Sequence, residues 1–452
     1  MRAQQERPQE TSLAPPLWRQ LQACAQALQS VLEGHNHTLA LSAVPSPLRP
    51  AAQALLFAVL RHWQTTQSVR NLLVKRPPSA PVNALLGTGL GLLLLGDQAM
   101  YPAHTLVSQL VEAAKQHSST RAHAAFINAC VRRFLREQKD LMAQALQDLP
   151  AQWNFPLWWI KRVQKDYPDH WQTLLQASHQ AAPMGMRVNR RKVTRDTLQQ
   201  QWAAQDMLSQ AVAEDGLVLQ QARPVQSIPG FALGWCSVQD TAAQLAAPLL
   251  LKHLQPRQGK PLRVLDACAA PGGKTAHLLE YADVHVWALD VDELRCQRIR
   301  DNLKRLDLHA HVVCADVMDT ASWWDGELFD AVLLDAPCTA SGIVRRHPDI
   351  PLLRRDSDVG ALAQTQQRML DALWPLLSPK GRMLYCTCSV FHEEGQGQID
   401  SFLKRNTQAV LRPSPGHLIP GGTGNGASLL DNAHSGYDGF FYAVLERRPT
   451  DV

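Results

Sequence analysis

From residue 262 onward the sequence alternates between short β-rich runs and longer amphipathic segments, and this alternation restricts the possible folds more than any other feature. "LRVLDAC", "VHVWALD", "AHVVCAD", "FDAVLLDAPC" and "GRMLYCTCSV" read as successive strands. Helical stretches such as "DELRCQRIRDNLKRL" and "ALAQTQQRMLDALWPLL" separate them. Repeated β-α units imply a Rossmann-like parallel sheet covered by helices on both faces, because every parallel connection must cross over the sheet.

Upstream of about residue 240 the period changes. Leu56, Val59, Leu60 and Trp63 fall at i, i+3, i+4 and i+7, as do Ile127, Cys130, Val131 and Phe134. This half is expected to be helical, with Cys130 in its core and Arg132, Arg133 and Arg136 on a solvated face. The most apolar stretch, "VNALLGTGLGLLLLG", is shorter than the roughly 20 residues that span a bilayer. It is expected as a buried helix packed closely through Gly87, Gly89 and Gly91, with no membrane partner.

A chain of 452 residues is too long for one ordinary domain. The expectation is a multi-domain α and α/β protein: a helical domain over 1–150, a small basic element over 151–235 and an α/β domain over 236–452. In the middle element Lys161, Arg162, Lys165, Arg187, Arg190, Arg191, Lys192 and Arg195 stand among Trp153, Trp158, Trp159, Tyr167 and Trp171. That mixture suits a nucleic-acid surface, with cations for phosphates and rings for unpaired bases. It suits equally a solvated face over a Trp-rich core, and the pattern does not choose.

The N-terminal "MRAQQERPQETS" is polar and has no apolar signal core, so a cytoplasmic location is expected. Nine cysteines at irregular spacings, without C-x-x-C pairs, resemble neither a disulfide framework nor a zinc site. Reduced thiols and no metal are expected. A monomer is expected as well.

In open parallel sheets, ligands bind beyond the carboxyl ends of the strands. Asp266, Asp290, Asp316 and Asp335 stand at or near four such ends. The loop "VLDACAAPGGKT" sets Gly272 and Gly273 between strand and helix, where backbone must approach a ligand. It imitates a phosphate-binding G-x-x-x-x-G-K-T loop, but Cys268 occupies the first glycine position, and the dinucleotide G-x-G-x-x-G spacing is absent. Asp290 can accept ribose hydroxyls and Asp316 can face an adenine. A ligand with ribose and adenine but no pyrophosphate fits S-adenosylmethionine better than ATP.

"DACAAPGGKT", "LLDAPCTASG", "RRHPDI" and "YCTCSV" together resemble the RNA cytosine-5 methyltransferases of the NOL1/NOP2/Sun family, within it the bacterial enzymes of small-subunit (16S) ribosomal RNA. "PGFALGWCSVQDTAAQLAA" is similar to the start of that family's catalytic domain and "DGFFYAVLER" to its closing strand. "MRVNRRKVTRD" looks like its N1 RNA-binding element, and the helical block with "FINACVRRFLRE" like a NusB-like domain. The resemblance implies S-adenosylmethionine as cofactor, held by Cys268, Ala269, Ala270, Pro271, Gly272, Gly273, Lys274, Asp290, Asp316 and Asp335. It implies 16S ribosomal RNA, or an early small-subunit assembly intermediate, as partner. In "FHEEGQGQ" the chain departs from the family pattern, with His392 where proline and Gly395 where asparagine is usual, which puts the helix start after that strand in question.

Carbon 5 of cytosine is a poor nucleophile until a thiolate adds to carbon 6 and turns the ring into an enamine. The site then needs an acid near ring nitrogen 3 and help with elimination. Cys386 and Cys388 lie two apart and share a face if the strand is regular. Position and the T-C-S resemblance select Cys388 as nucleophile, with Cys386 a buried neighbour. The resemblance gives Cys338 the release of the adduct and Asp335 the cytosine edge, while Pro271 and Pro337 stiffen their loops. The alternatives are action on another RNA such as tRNA, a DNA methyltransferase attacking through Cys338, or a non-catalytic RNA-binding or antitermination-type factor.

Overall fold

The computed structural model describes residues 15–255, 260–420 and 436–449. The polar N-terminal stretch read above, residues 1–12, lies outside them. The chain divides into two compact units: Met1–Ile160 with His347–Leu353, and Lys161–Arg346 with Arg354–Val452.

The first unit is helical. Its main helices are Leu17–Leu32, Arg49–Arg61, Trp63–Leu73, Ala80–Leu93, Ala103–Gln116 and Ala124–Ala145. Leu56, Val59, Leu60 and Trp63 are all buried, but the chain leaves helical geometry at His62, so Trp63 begins a new helix. Ala80–Leu93 is apolar on nearly all sides, as a core helix must be. A side chain at Gly87 would meet the Trp63 ring at 2.8 Å, and one at Gly89 would meet Leu110 at 2.3 Å, so these glycines permit close helix packing. No helix among the described residues is long and apolar enough to cross a membrane.

His347–Leu353, from the "RRHPDI" motif, belongs to this helical unit. Asp349 accepts hydrogen bonds from the His37 backbone N–H and from His37 Nδ1, both at 2.9 Å. Burial would raise the Asp349 carboxyl, yet the two bonds from His37 hold it below the usual range.

The second unit contains two sheets, and the first, over 184–238, corrects the expectation of helix up to about residue 240. Strands β1 (Met184–Val188), β2 (Ser209–Val212), β3 (Gly216–Leu219) and β4 (Cys236–Val238) form an antiparallel sheet ordered β2-β3-β1-β4. Helix Arg195–Ala203 packs on it, with Trp202 fully buried. The larger sheet holds β5 (Leu262–Ala267), β6 (Val284–Asp290), β7 (His311–Cys314), β8 (Phe329–Asp335), β9 (Leu377–Thr387), β10 (Ala409–Leu418) and β11 (Phe440–Arg447). Its order is β10-β11-β9-β8-β5-β6-β7, parallel from β9 to β7 and antiparallel at β10 and β11. Val264, Leu333 and Leu384 enter one hydrophobic cluster while Leu265, Val332 and Met383 enter another. Neighbours on one strand point to opposite faces, so both faces are covered, and the strands read as continuous apolar runs for that reason.

In the middle element several of the cations and rings named above are engaged within the protein. Trp159 and Tyr167 are buried. Arg162 pairs with Asp356 and Glu393, and Arg190 with Glu214 and Asp215. Arg191, Lys192 and Arg195 donate to the backbone carbonyls of Leu279, Leu233 and Ala213. Arg187, 1% exposed, makes a bidentate pair with Glu280 at 2.8 and 3.0 Å and also donates to the Gly273 carbonyl at 2.8 Å. Lys161 and Lys165 remain exposed.

Candidate active site

The loop after β5 is built on unusual backbone. Cys268 has φ +67° and Gly272 φ +93°. Cys268 thus adopts the left-handed form in which a phosphate loop would use glycine, at the steric cost that L-residues meet there. At Gly272 a side chain would also come within 3.1 Å of Ile299 Cα. Helix Gly273–Tyr281 then begins, and at Gly273 an added Cβ would meet nothing within 4 Å. Thr275 Oγ1 donates to Asp266 Oδ2 at 2.6 Å beneath the loop.

A cavity of about 380 Å³ opens at the carboxyl ends of the parallel strands. Asp290, Asp316 and Asp335 line it with Cys268, Ala270, Cys338 and Cys388. Asp266 does not belong to this lining: it is fully buried, its Oδ1 has no hydrogen-bond partner among the described residues, and burial raises its pKa to about 7. Ala269, Pro271, Gly272, Gly273 and Lys274 shape the loop and helix start rather than the cavity wall. Asp290, at the end of β6, accepts from the Ala270 and Asp292 N–H groups at 3.2 and 3.3 Å and pairs with Arg295 at 3.3 Å. A carboxylate has about four acceptor sites, so one remains for a ligand. Asp316 is exposed and accepts from the Met318 N–H at 2.9 Å.

Asp335 ends β8. Its Oδ2 accepts from Lys274 Nζ at 2.6 Å and its Oδ1 from Cys386 Sγ at 3.4 Å. Burial would lower the Lys274 pKa, but the Asp335 charge holds the ammonium above the ordinary lysine value. Cys386 is fully buried in β9, and burial followed by the Asp335 charge pushes its thiol well up. Cys388 is not on the strand with it. β9 ends at Thr387, and Cys388 sits on the bend that follows, half-buried and facing the cavity. Its sulfur lies 3.5 Å from that of Cys338, on the loop after the neighbouring parallel strand β8. The hydrogen bond to Cys388, then burial, push the Cys338 thiol well up.

Residues 251–446 match the family model for the 16S rRNA methyltransferase RsmB/F, and residues 155–226 match the ferredoxin-like domain of RsmF/B-like methyltransferases. The chain is 40% identical over 440 residues to "Ribosomal RNA small subunit methyltransferase B" of Vibrio cholerae, an alignment spanning 94% of this chain and 97% of that one. The chain belongs to the RsmB/F family. Its relative of the same name in Pseudomonas putida is 40% identical over 438 residues, with 94% and 97% covered. The solved structure of PH0851 shares the fold with TM-score 0.76 at 21% identity, over 96% of this chain and 100% of that one.

As a member of this family the chain is a methyltransferase whose cofactor is S-adenosylmethionine. The cavity suits that group: Val291, Val317 and Met369 offer apolar surface beside Asp290, a carboxylate able to accept ribose hydroxyls, and Asp316. Its volume falls within the range typical of small-molecule sites, roughly 300–1,000 Å³.

Sequence reading overlooked one residue that organises the thiols. Glu394 is fully buried, and its carboxylate accepts from the Thr339 N–H at 2.8 Å, Thr339 Oγ1 at 2.5 Å, Ser389 Oγ at 2.6 Å and Gln366 Nε2 at 3.2 Å. Thr339 and Ser389 are the residues immediately after Cys338 and Cys388, so one side chain ties both cysteine loops together. The second glutamate of "FHEEGQ" was its only signal. The departures at His392 and Gly395 leave the helix start intact: a short turn over His392–Glu394 leads directly into helix Gln396–Arg405.

Proposed function

We propose that the protein methylates carbon 5 of one cytosine in small-subunit (16S) ribosomal RNA, with Cys388 attacking carbon 6 of the flipped base. The observation that carries this reading is the 3.5 Å approach of the Cys338 and Cys388 sulfurs at the wall of a cavity that Asp335 also lines. S-adenosylmethionine, when bound, supplies the methyl group.

The neighbouring Cys388 sulfur and burial push the Cys338 thiol up, so Cys338 keeps its proton, while Cys388, half-buried at the cavity wall, gives its proton to solvent and attacks as the thiolate. Asp335, anchored by Lys274, orients the cytosine edge and relays to ring nitrogen 3, as the enamine forms, a proton drawn from the Lys274 ammonium hydrogen-bonded to it. Adduct formation consumes the Cys388 sulfur. Cys338, 3.5 Å away, then gives its own proton to solvent and as thiolate removes the carbon 5 proton, which frees Cys388. Cys386, buried against Asp335, keeps its proton and takes no part in bond making.

The helical domain over 1–150 and the basic element over 151–235 are proposed to hold the RNA, free or in an early small-subunit assembly intermediate, by a monomer in the cytoplasm. Bisulfite sequencing of ribosomal RNA from a strain lacking the gene is expected to lose a single small-subunit methylcytosine. Cys388→Ala should form no covalent adduct, whereas Cys338→Ala should accumulate protein–RNA adduct. Adduct formation by Cys388→Ala, or full turnover by Cys338→Ala, would refute the assignment.

A further inference from the structure

Away from the two catalytic loops, three metal-capable side chains converge at the rim of the larger sheet. Glu293 and Cys296 stand one turn apart in helix Glu293–Leu306, and Cys314 ends β7. Spacings i and i+3 on a helix face the same way, so the carboxylate and the first sulfur point together. The carboxylate oxygen and both sulfurs all lie within 4.8 Å of one another. Cys296 Sγ stands 3.4 Å from the Asp290 carbonyl oxygen and Cys314 Sγ 3.6 Å from that of Val291. The sulfurs therefore lean over the peptide that follows β6. Cys296 is buried, while Cys314 and Glu293 are exposed, so the cluster opens to solvent on one side.

We propose that Glu293, Cys296 and Cys314 bind a zinc-class divalent cation, with a water as fourth ligand on the open side. In a tetrahedral zinc site with metal–sulfur bonds of about 2.3 Å, ligand atoms stand about 3.5–3.8 Å apart, so closure needs a shift of about 1 Å. The cation displaces two thiol protons to solvent and takes both sulfurs as thiolates, with no change of oxidation state. Two sulfurs select zinc or cadmium over magnesium and calcium. Arg300 pairs with Glu293 at 2.6 Å, but the pair is solvent-exposed and screened and competes weakly. Among the described residues a second cluster of suitable side chains, His37, His347 and Asp349, is a poorer candidate, because Asp349 already accepts two bonds from His37. The cation would brace the ends of β6 and β7, which carry Asp290 and Asp316.

The test is titration of the reduced full-length protein with cadmium, followed by ultraviolet thiolate-to-metal absorbance, and zinc stoichiometry after dialysis. Cys338 and Cys388 form a second sulfur pair, so the reading is a difference between variants. Cys314→Ser, a change at an exposed position, is expected to lose one equivalent of metal, and Glu293→Gln to bind that equivalent about tenfold more weakly. Equal stoichiometry in the native protein and Cys314→Ser would overturn the proposal. So would a Cys296–Cys314 disulfide that persists under reductant.

Discussion

Removing the Glu394 carboxylate tests whether one buried side chain sets the separation of the two thiols. In Glu394→Ala the Gln366 amide keeps its bond to the Pro337 carbonyl at 2.9 Å, and the Ser389 and Ser341 hydroxyls remain 2.9 Å apart and can pair. The Thr339 N–H alone loses its acceptor outright. An orphaned buried donor costs about 1–3 kcal/mol. The emptied volume adds a cavity cost, so the total should be about 3 kcal/mol. Glu394→Gln retains an acceptor for Thr339 N–H and asks the two hydroxyls to turn and accept from the new amide, which should cost about 1 kcal/mol.

The effect on chemistry should exceed the effect on stability. A misplacement of about 1 Å in a reacting group can cost about 100-fold in rate. Glu394→Gln should therefore stay folded, with its denaturation midpoint only slightly lowered, while single-turnover methylation slows by about 10- to 100-fold and RNA affinity is unchanged. Oxidative cross-linking of Cys338 to Cys388 gives a readout of the sulfur separation independent of methyl transfer, and it should slow in parallel. Native methylation and cross-linking rates in Glu394→Gln, or a Glu394→Ala variant within about 0.5 kcal/mol of the native protein, would refute the argument; the latter is below the least that an orphaned buried donor costs.

Other substitutions probe the supports of the site. Burial raises the Asp266 carboxyl from an ordinary 3.8 to about 7, so the folded state binds the extra proton and stability is lost as pH rises from about 4 through 7. Asp266→Asn should flatten that decline in denaturation midpoints and stabilise the protein at pH 8 by at most about 4 kcal/mol; an unchanged slope counts against it. Arg187→Met strands Glu280 in a dry site and should cost about 3–5 kcal/mol, with part recovered in Arg187→Met with Glu280→Gln. A double variant no more stable than the single would contradict this. Gly272→Ala meets both a positive φ and Ile299, so it should lower stability by about 1–2 kcal/mol and weaken S-adenosylhomocysteine binding in calorimetry.

What the sequence revealed and what it hid follow one physical division. The five parallel strands were legible because burial on both faces forces unbroken apolar runs, and the strand ends were legible because carboxylates there follow directly after those runs. Cys388 was preferred to Cys386 as nearer the carboxyl end and by its T-C-S resemblance, and the structure sets it one residue beyond the last strand residue rather than on the strand. The different place of Asp266 was not legible, because a strand-end acid beneath a loop and one facing a cavity have the same local context. Only the fold distinguishes them, and it places Thr275 over Asp266.

The middle element shows why composition was a weak guide to its surface. Arginines that bind RNA and arginines that pair with Glu280, Asp215 or Asp356 are the same residue type, and their partners lie from 25 to 194 positions away. Glu394 illustrates the same obstacle for catalysis. Its importance lies in touching Thr339, 55 positions earlier, and Ser389, five positions earlier, at once. Neither neighbour names the other in sequence. The pair of thiols is therefore the part of the site that local pattern can indicate, whereas the distance between them is set by a contact that only the packed sheet creates.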